Sequence, residues 1–285
     1  MKRVALLAAL AAALGGAFTT ASAPGALDRP LLWSADKDGR TTYLFGTMHA
    51  GIDAEARLPA IVWRALDAAP AFAMETDLDR AAPAGPPPTG SLREALGPAY
   101  WEKLEAALGT AGAREVEYLR PMIAASLLSL RGLPRTPQMD RALAERAAAE
   151  HKRVVFLEPV SRQLALLARW IDVKALRLLL DELPASEQRS QAMLAAYVDG
   201  DERRILAIND RERAAALRHG YTAAEYDREM DDLLYGRNAS WIAPIEQLHA
   251  AGGGFVAVGA LHLVGPRSVL DLLAQRGFRV TRVAP

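Results

Sequence analysis

The run Gly252-Gly253-Gly254-Phe255-Val256-Ala257-Val258-Gly259-Ala260-Leu261-His262 decides how this chain is read. Phe255 to Val258 is apolar without alternation, which is how a strand buried on both faces looks, and glycines punctuate it at either end. Three residues beyond Gly259 stands His262. The same succession occurs far upstream, where Tyr43-Leu44-Phe45 leads through Gly46-Thr47-Met48 to His49. Two further apolar runs end in an acid: Ala71-Phe72-Ala73-Met74 in Glu75, and Arg153-Val154-Val155-Phe156-Leu157 in Glu158. In a parallel sheet the carboxyl ends of the strands share one edge, and open α/β folds build their sites there. Two imidazoles and one or two carboxylates are thereby expected at one place.

Outward from these strands, Leu31-Leu32-Trp33-Ser34 and Thr41-Thr42-Tyr43-Leu44-Phe45 flank Asp36-Lys37-Asp38-Gly39, the pattern of a β-hairpin. A helix over about Ala54 to Ala68 follows, with Leu58, Ile61, Val62, Ala65 and Leu66 on one stripe. The proline-rich stretch from Ala82 to Gly90 reads as an irregular loop. From 91 to about 250 the pattern is helical, broken at Pro98, Pro121, Pro134, Pro137, Pro184, Gly200 and Gly220, and interrupted by the strand near 153–158. A helix over about Pro266 to Arg276 and a strand over Phe278 to Val283 end the chain. The expectation is an α/β fold with a mainly parallel or mixed central sheet, an N-terminal hairpin and a large helical middle segment.

The 285 residues carry 34 basic and 34 acidic side chains, so the chain lacks the net positive charge that nucleic-acid binding usually needs. With 51% hydrophobic residues it can fill a core, which excludes disorder. There is no cysteine. Disulfides, thiolate metal sites and cysteine nucleophiles are excluded, and a metal would need nitrogen and oxygen ligands. Met1-Lys2-Arg3, the apolar run Val4 to Phe18 and the small residues through Ala23 read as a signal peptide over 1–23. A single domain over 24–285, periplasmic or secreted and not membrane-bound after cleavage, is expected; the oligomeric state is not readable.

Two imidazoles and a carboxylate form a three-ligand set that leaves positions open for water. A divalent ion held by His49, Glu75 and His262 would lower the pKa of that water and polarise a carbonyl. Glu158 is the candidate general base, with the roles of the two glutamates exchangeable. Arg237 is a candidate clamp for a substrate carboxylate or an oxyanion, and Asn238 a hydrogen-bond donor. The blander readings are a salt bridge for Arg237, a cap for Asn238 on a helix beginning near Ser240, and a helix-end cap for His249. Gly-x-Ser-x-Gly, His-Glu-x-x-His and Walker A motifs are absent. Gly252 to Gly254 precede a strand, so they are no dinucleotide fingerprint.

At these residues the chain resembles the TraB/PrgY/GumN family, which includes the Tiki membrane metalloproteases. The resemblance runs through Leu31-Leu32-Trp33, Phe45-Gly46-Thr47-Met48-His49, Met74-Glu75-Thr76-Asp77, Met139-Asp140, Leu157-Glu158 with Gln163, Gly236-Arg237-Asn238 with Trp241, and Val258 to Gly265. It implies a fold related to erythromycin esterase and the haem-associated ChaN proteins. It also implies metal-dependent peptide hydrolysis, with manganese or cobalt, or else zinc, as the ion. The partner expected is a peptide or small-molecule substrate. Two other readings stand beside it: a non-catalytic protein that sequesters a peptide or a haem-like ligand, and a metal-free hydrolase using His49 and Glu75 as an acid–base pair.

Overall fold

A computed structural model describes residues 27–80 and 89–284; the expected signal peptide and most of the proline-rich loop lie outside them. β1 (Leu32–Lys37) and β2 (Arg40–Thr47) pair antiparallel as the expected hairpin, with Lys37 opposite Arg40. Asp38 and Gly39, at φ 48° and 72°, supply the two left-handed residues that a tight hairpin of this twist demands. With β3 (Ala71–Met74), β4 (Arg153–Phe156), β5 (Gly254–Gly259) and β6 (Arg279–Arg282) they form a six-stranded sheet in the order β4-β3-β5-β2-β1-β6. The four strands β4, β3, β5 and β2 run parallel, whereas β1 is antiparallel to both β2 and β6. The sheet is therefore mixed.

Every residue of β3 and β5 is buried, as their unbroken apolar runs require. β4 departs from that expectation. It is an edge strand, and Val154 and Phe156 are 37% and 42% exposed among the described residues. A short apolar run does not distinguish an edge from a centre, because that depends on which strand pairs outside it.

The helix expected over Ala54 to Ala68 is two helices, Ala54–Arg57 and Ala60–Ala68, because Pro59 cannot continue the first and starts the second. Pro98 and Pro121 mark helix starts, each at the first position of Pro98–Glu115 and Pro121–Ser129. Met139–Ala149 then leads into β4. After β4 come Val160–Trp170, Val173–Asp181, Leu183–Val198, Glu202–Arg218 and Ala223–Met230. A π-helical turn, Asp231–Tyr235, joins the last of these to Gly236–Ala250. The helix carrying Arg237 and Asn238 thus begins before them, not near Ser240, so Asn238 is no cap. Val269–Gln275 precedes β6.

The buried apolar residues fall into two clusters. One surrounds the sheet and includes Phe45, Phe72, Phe255 and Trp241. The other lies among the helices of the middle segment, with Trp101, Leu104, Leu128 and Leu176. Among the described residues no helix is long and apolar enough to cross a membrane.

Candidate active site

Parallel register sets the site. Met74 lies opposite Ala257 on β5 and Phe156 on β4, and Thr47 lies opposite Gly259. Glu75, Glu158, His49 and His262 then leave the sheet at one edge. The pairing continues past the strands: Leu157 and Glu158 donate their N–H groups to the carbonyls of Met74 and Glu75.

Both Gly-x-x-His glycines lie within strands and neither has a positive φ. What they provide is close approach. A Cβ on Gly46 would stand 3.1 Å from Cα of Ala260. One on Gly259 would stand 3.3 Å from both Oε1 of Glu75 and Nε2 of His49, and 3.6 Å from Cδ2 of His262. Each motif's glycine makes room for the other motif, which is why the two occur together on neighbouring strands.

Both imidazoles are held by Nδ1. His49 Nδ1 lies 2.6 Å from Oδ2 of Asp140, whose other oxygen accepts from the Thr47 hydroxyl at 2.7 Å. Asp140 is reached from the first turn of the Met139–Ala149 helix. His262 Nδ1 donates to Oδ1 of Asn238 at 2.6 Å, and the Asn238 amide donates to the carbonyl of Arg267 at 2.8 Å, which fixes its oxygen toward the ring. Nε2 of His262 lies 3.7 Å from Oε1 of Glu75, and the ring packs on Trp241 with centroids 4.4 Å apart.

Arg237 is fully buried beneath this edge. Nη2 bonds Oε2 of Glu75 and Oε1 of Glu158, both at 2.6 Å, Nε bonds Glu158 at 2.7 Å, and Nη1 donates to the carbonyl of Leu233 at 3.2 Å. Nη1 also stands 3.3 Å from Nε2 of His262. Glu75 accepts in addition from Gly259 N at 2.8 Å and Gln163 Nε2 at 3.0 Å. Burial alone would raise its pKa, but the charges of Arg237, His262 and His49 and the Gly259 N–H hold it well below the usual carboxylate range. For Glu158 burial prevails over the pairing with Arg237, and its pKa is raised. Burial would lower the pKa of His49; the charge and hydrogen bond of Asp140, with the charge of Glu75, overcome it and set a value of about 9.

A small cleft opens on the site, lined by His49, Glu75, Thr76, Gln138, Asp140 and Gln163, with Met74. The Thr76 hydroxyl is buried and has no hydrogen-bond partner among the described residues. Arg237, Asn238, Glu158 and His262 stand behind the lining. The structure brings all six residues singled out from sequence to one end of the sheet, with His49 and Glu75 lining the cleft and the other four behind them. Asp140, Gln163 and Thr76 join the site without any signal in the strand-end pattern.

The chain matches the TraB/PrgY/gumN family over residues 31–282. It belongs to that family. No curated protein and no solved structure matches the chain.

In this TraB/PrgY/gumN protein the donor chemistry suits a divalent ion. Imidazoles tied through Nδ1 to a carboxylate or amide oxygen are oriented as metal-bound histidines are. Asp140, Glu75 and Glu158 carry three formal negative charges against Arg237 and the His49 imidazolium, so an ion would replace the His49 proton. Spacing is looser than chemistry: among the described residues no three His, Asp or Glu side chains are arranged as a metal-holding group. Two donors on a tetrahedral zinc ion lie roughly 3.4 Å apart, so the 3.7 Å between Glu75 and His262 needs only a small closure.

The other histidines are elsewhere. His249 lies in the last turn of its helix, but its ring bonds to the hairpin: Nδ1 meets the Thr42 hydroxyl at 2.9 Å and Nε2 the Lys37 carbonyl at 3.0 Å. His151 is exposed, and His219 pairs with Glu182 at 2.8 Å.

Proposed function

We propose that this family member is a hydrolase of peptide or other amide-like bonds that works with a divalent cation held by His49, Glu75 and His262. The observation that carries this reading is the convergence on Gly259, where Glu75 Oε1 and His49 Nε2 each come within 3.3 Å of one point and His262 Cδ2 within 3.6 Å. A divalent ion held by these three residues would supply a Lewis acid and lower the pKa of a bound water toward neutrality.

The chain's own groups divide the remaining work. Asp140 and Asn238 aim the two imidazoles, and Gln163 and Gly259 hold the Glu75 carboxylate in place. Arg237 is a positioning residue: its guanidinium balances Glu75 and Glu158 inside the protein and does not reach the cleft. Glu158 acts through Arg237 for the same reason. Thr76 and Gln138 line the cleft and offer polar contacts to a substrate amide.

A second reading is favoured by the loose spacing of the donors: a metal-free hydrolase in which the His49–Asp140 pair handles the proton. One experiment separates them. Metal content of the purified full chain is measured after loading with manganese, cobalt or zinc, and cleavage of a peptide library is followed before and after chelation. About one ion per chain, lost in both His49→Ala and His262→Ala, with activity lost on chelation, is expected. Full retention of the ion in both variants overturns the metal reading, and activity that survives exhaustive chelation establishes the second.

A further inference from the structure

The guanidinium of Arg237 already engages two of the three residues assigned to an ion. Nη2 bonds Oε2 of Glu75 at 2.6 Å, and Nη1 lies 3.3 Å from Nε2 of His262. Nδ1 of His262 carries the ring proton, because the Asn238 amide oxygen faces it at 2.6 Å. Nε2 is then the bare nitrogen, and Nη1 donates to it. A lone pair engaged by one cation is not open to a second. Both side chains are buried, where two positive charges repel more strongly than in water.

The contacts of Arg237 are divided so that one can be given up alone. Nη1 has another acceptor in the Leu233 carbonyl at 3.2 Å, within the π-helical turn. Nη2 and Nε are tied to Oε1 of Glu158 at 2.6 and 2.7 Å. Glu75 is divided in the same way. Its Oε2 accepts from Arg237 and Gln163, while Oε1 accepts from Gly259 N and faces Nε2 of His262 at 3.7 Å. Only the contact between Nη1 and His262 stands against an ion shared by Nε2 and Oε1.

We propose that Arg237 is a built-in competitor of the ion, holding Nε2 of His262 in the ion-free chain and yielding it on loading. It thereby keeps the affinity of the site low and its ion exchangeable. This inference rests on the assignment of His49, Glu75 and His262 as ion ligands. In the ion-free chain the same guanidinium keeps two buried carboxylates paired, so folding does not wait for the ion. Removing Arg237 should therefore tighten ion binding, whereas removing a residue that merely supports the ligands loosens it.

The test measures manganese binding to the full chain by equilibrium dialysis in mildly alkaline buffer. Arg237→Met offers manganese no new oxygen or nitrogen ligand, and should bind it about tenfold more tightly than the wild type. Arg237→Lys, whose single ammonium cannot span Glu75 and His262, should bind with intermediate strength. Manganese should also raise the melting temperature of Arg237→Met by more than that of the wild type. Equal or weaker binding in these variants, with the ion lost in His49→Ala and His262→Ala, overturns the competition and leaves the ion site standing. Retention of the ion in both histidine variants removes the site and the competition together. Where Arg237→Met does not fold, Arg237→Lys decides.

Discussion

His49 and Asp140, 91 residues apart in the chain, meet through Nδ1 and Oδ2 at 2.6 Å, and that contact sets both the charge and the direction of the imidazole. Asp140→Asn keeps the shape and removes the charge. The His49 pKa is then expected to fall from about 9, read from the ring resonances in a pH titration of the cation-free protein. Divalent-ion affinity should drop roughly 10–100-fold, as for other groups that orient metal-bound histidines. An unchanged titration would separate Asp140 from the site.

The same contact makes the stability of chelator-treated protein depend on pH. The folded pKa of His49, about 9, is raised above its ordinary 6.5, so the folded state binds the proton more tightly. Its stabilisation is complete below pH 6.5 and is lost as pH rises through 9. A shift of this size corresponds to about 3 kcal/mol. Urea unfolding midpoints across that window should fall for the wild type and flatten in His49→Gln.

Arg237→Met should cost about 3–5 kcal/mol, because it leaves Glu75 and Glu158 buried without their common cation. Arg237→Lys should recover only part of the loss, since one ammonium cannot reproduce the bonds from Nε, Nη1 and Nη2. Adding Glu158→Gln to Arg237→Met should restore some stability. Additive losses in the double variant would show that the two side chains are not coupled.

Gly259→Ala and Gly253→Ala should fail differently. At Gly259 the added methyl enters between Glu75 and His49, so ion binding and activity should disappear while the melting temperature moves little. At Gly253, φ is 90° and a Cβ would lie 2.2 Å from the Thr41 carbonyl oxygen, so the chain should lose stability or fail to accumulate. Calorimetry beside metal analysis distinguishes the two.

His249→Ala serves as the contrasting histidine variant. It removes ring bonds to Thr42 and Lys37 in a buried setting, which costs about 1–3 kcal/mol. Metal content per folded chain should be unchanged. Loss of the ion here would mean that the assignment of His49 and His262 is incomplete.

Much of this is legible in the sequence. Apolar runs leading to Glu75, Glu158, His49 and His262 announce parallel strands whose carboxyl ends share one side of the sheet. Asp140 was harder: it follows a proline-broken stretch, and an acid in the first turn of a helix ordinarily reads as a dipole partner. Its meeting with His49 depends on how the Met139–Ala149 helix lies against the sheet, which no local pattern encodes. Arg237 was recognised, but its burial was not, since a guanidinium is exposed by default and only the two carboxylates beneath the edge reverse that. The exposure of β4 was likewise a matter of sheet order.

β5 separates β3 from β2 in the sheet yet is nearly the last strand of the chain. A ribosome emitting this polypeptide therefore delivers the hairpin and β3 long before the segment that must slide between them. Until residues 254–259 emerge, the first two hundred and more residues hold an open sheet with its middle missing, a costly arrangement of long-range closure. Nascent chains of this protein should consequently depend on holding factors until synthesis is nearly complete, and C-terminal truncations should be cleared as unfolded chains, not persist as inactive fragments.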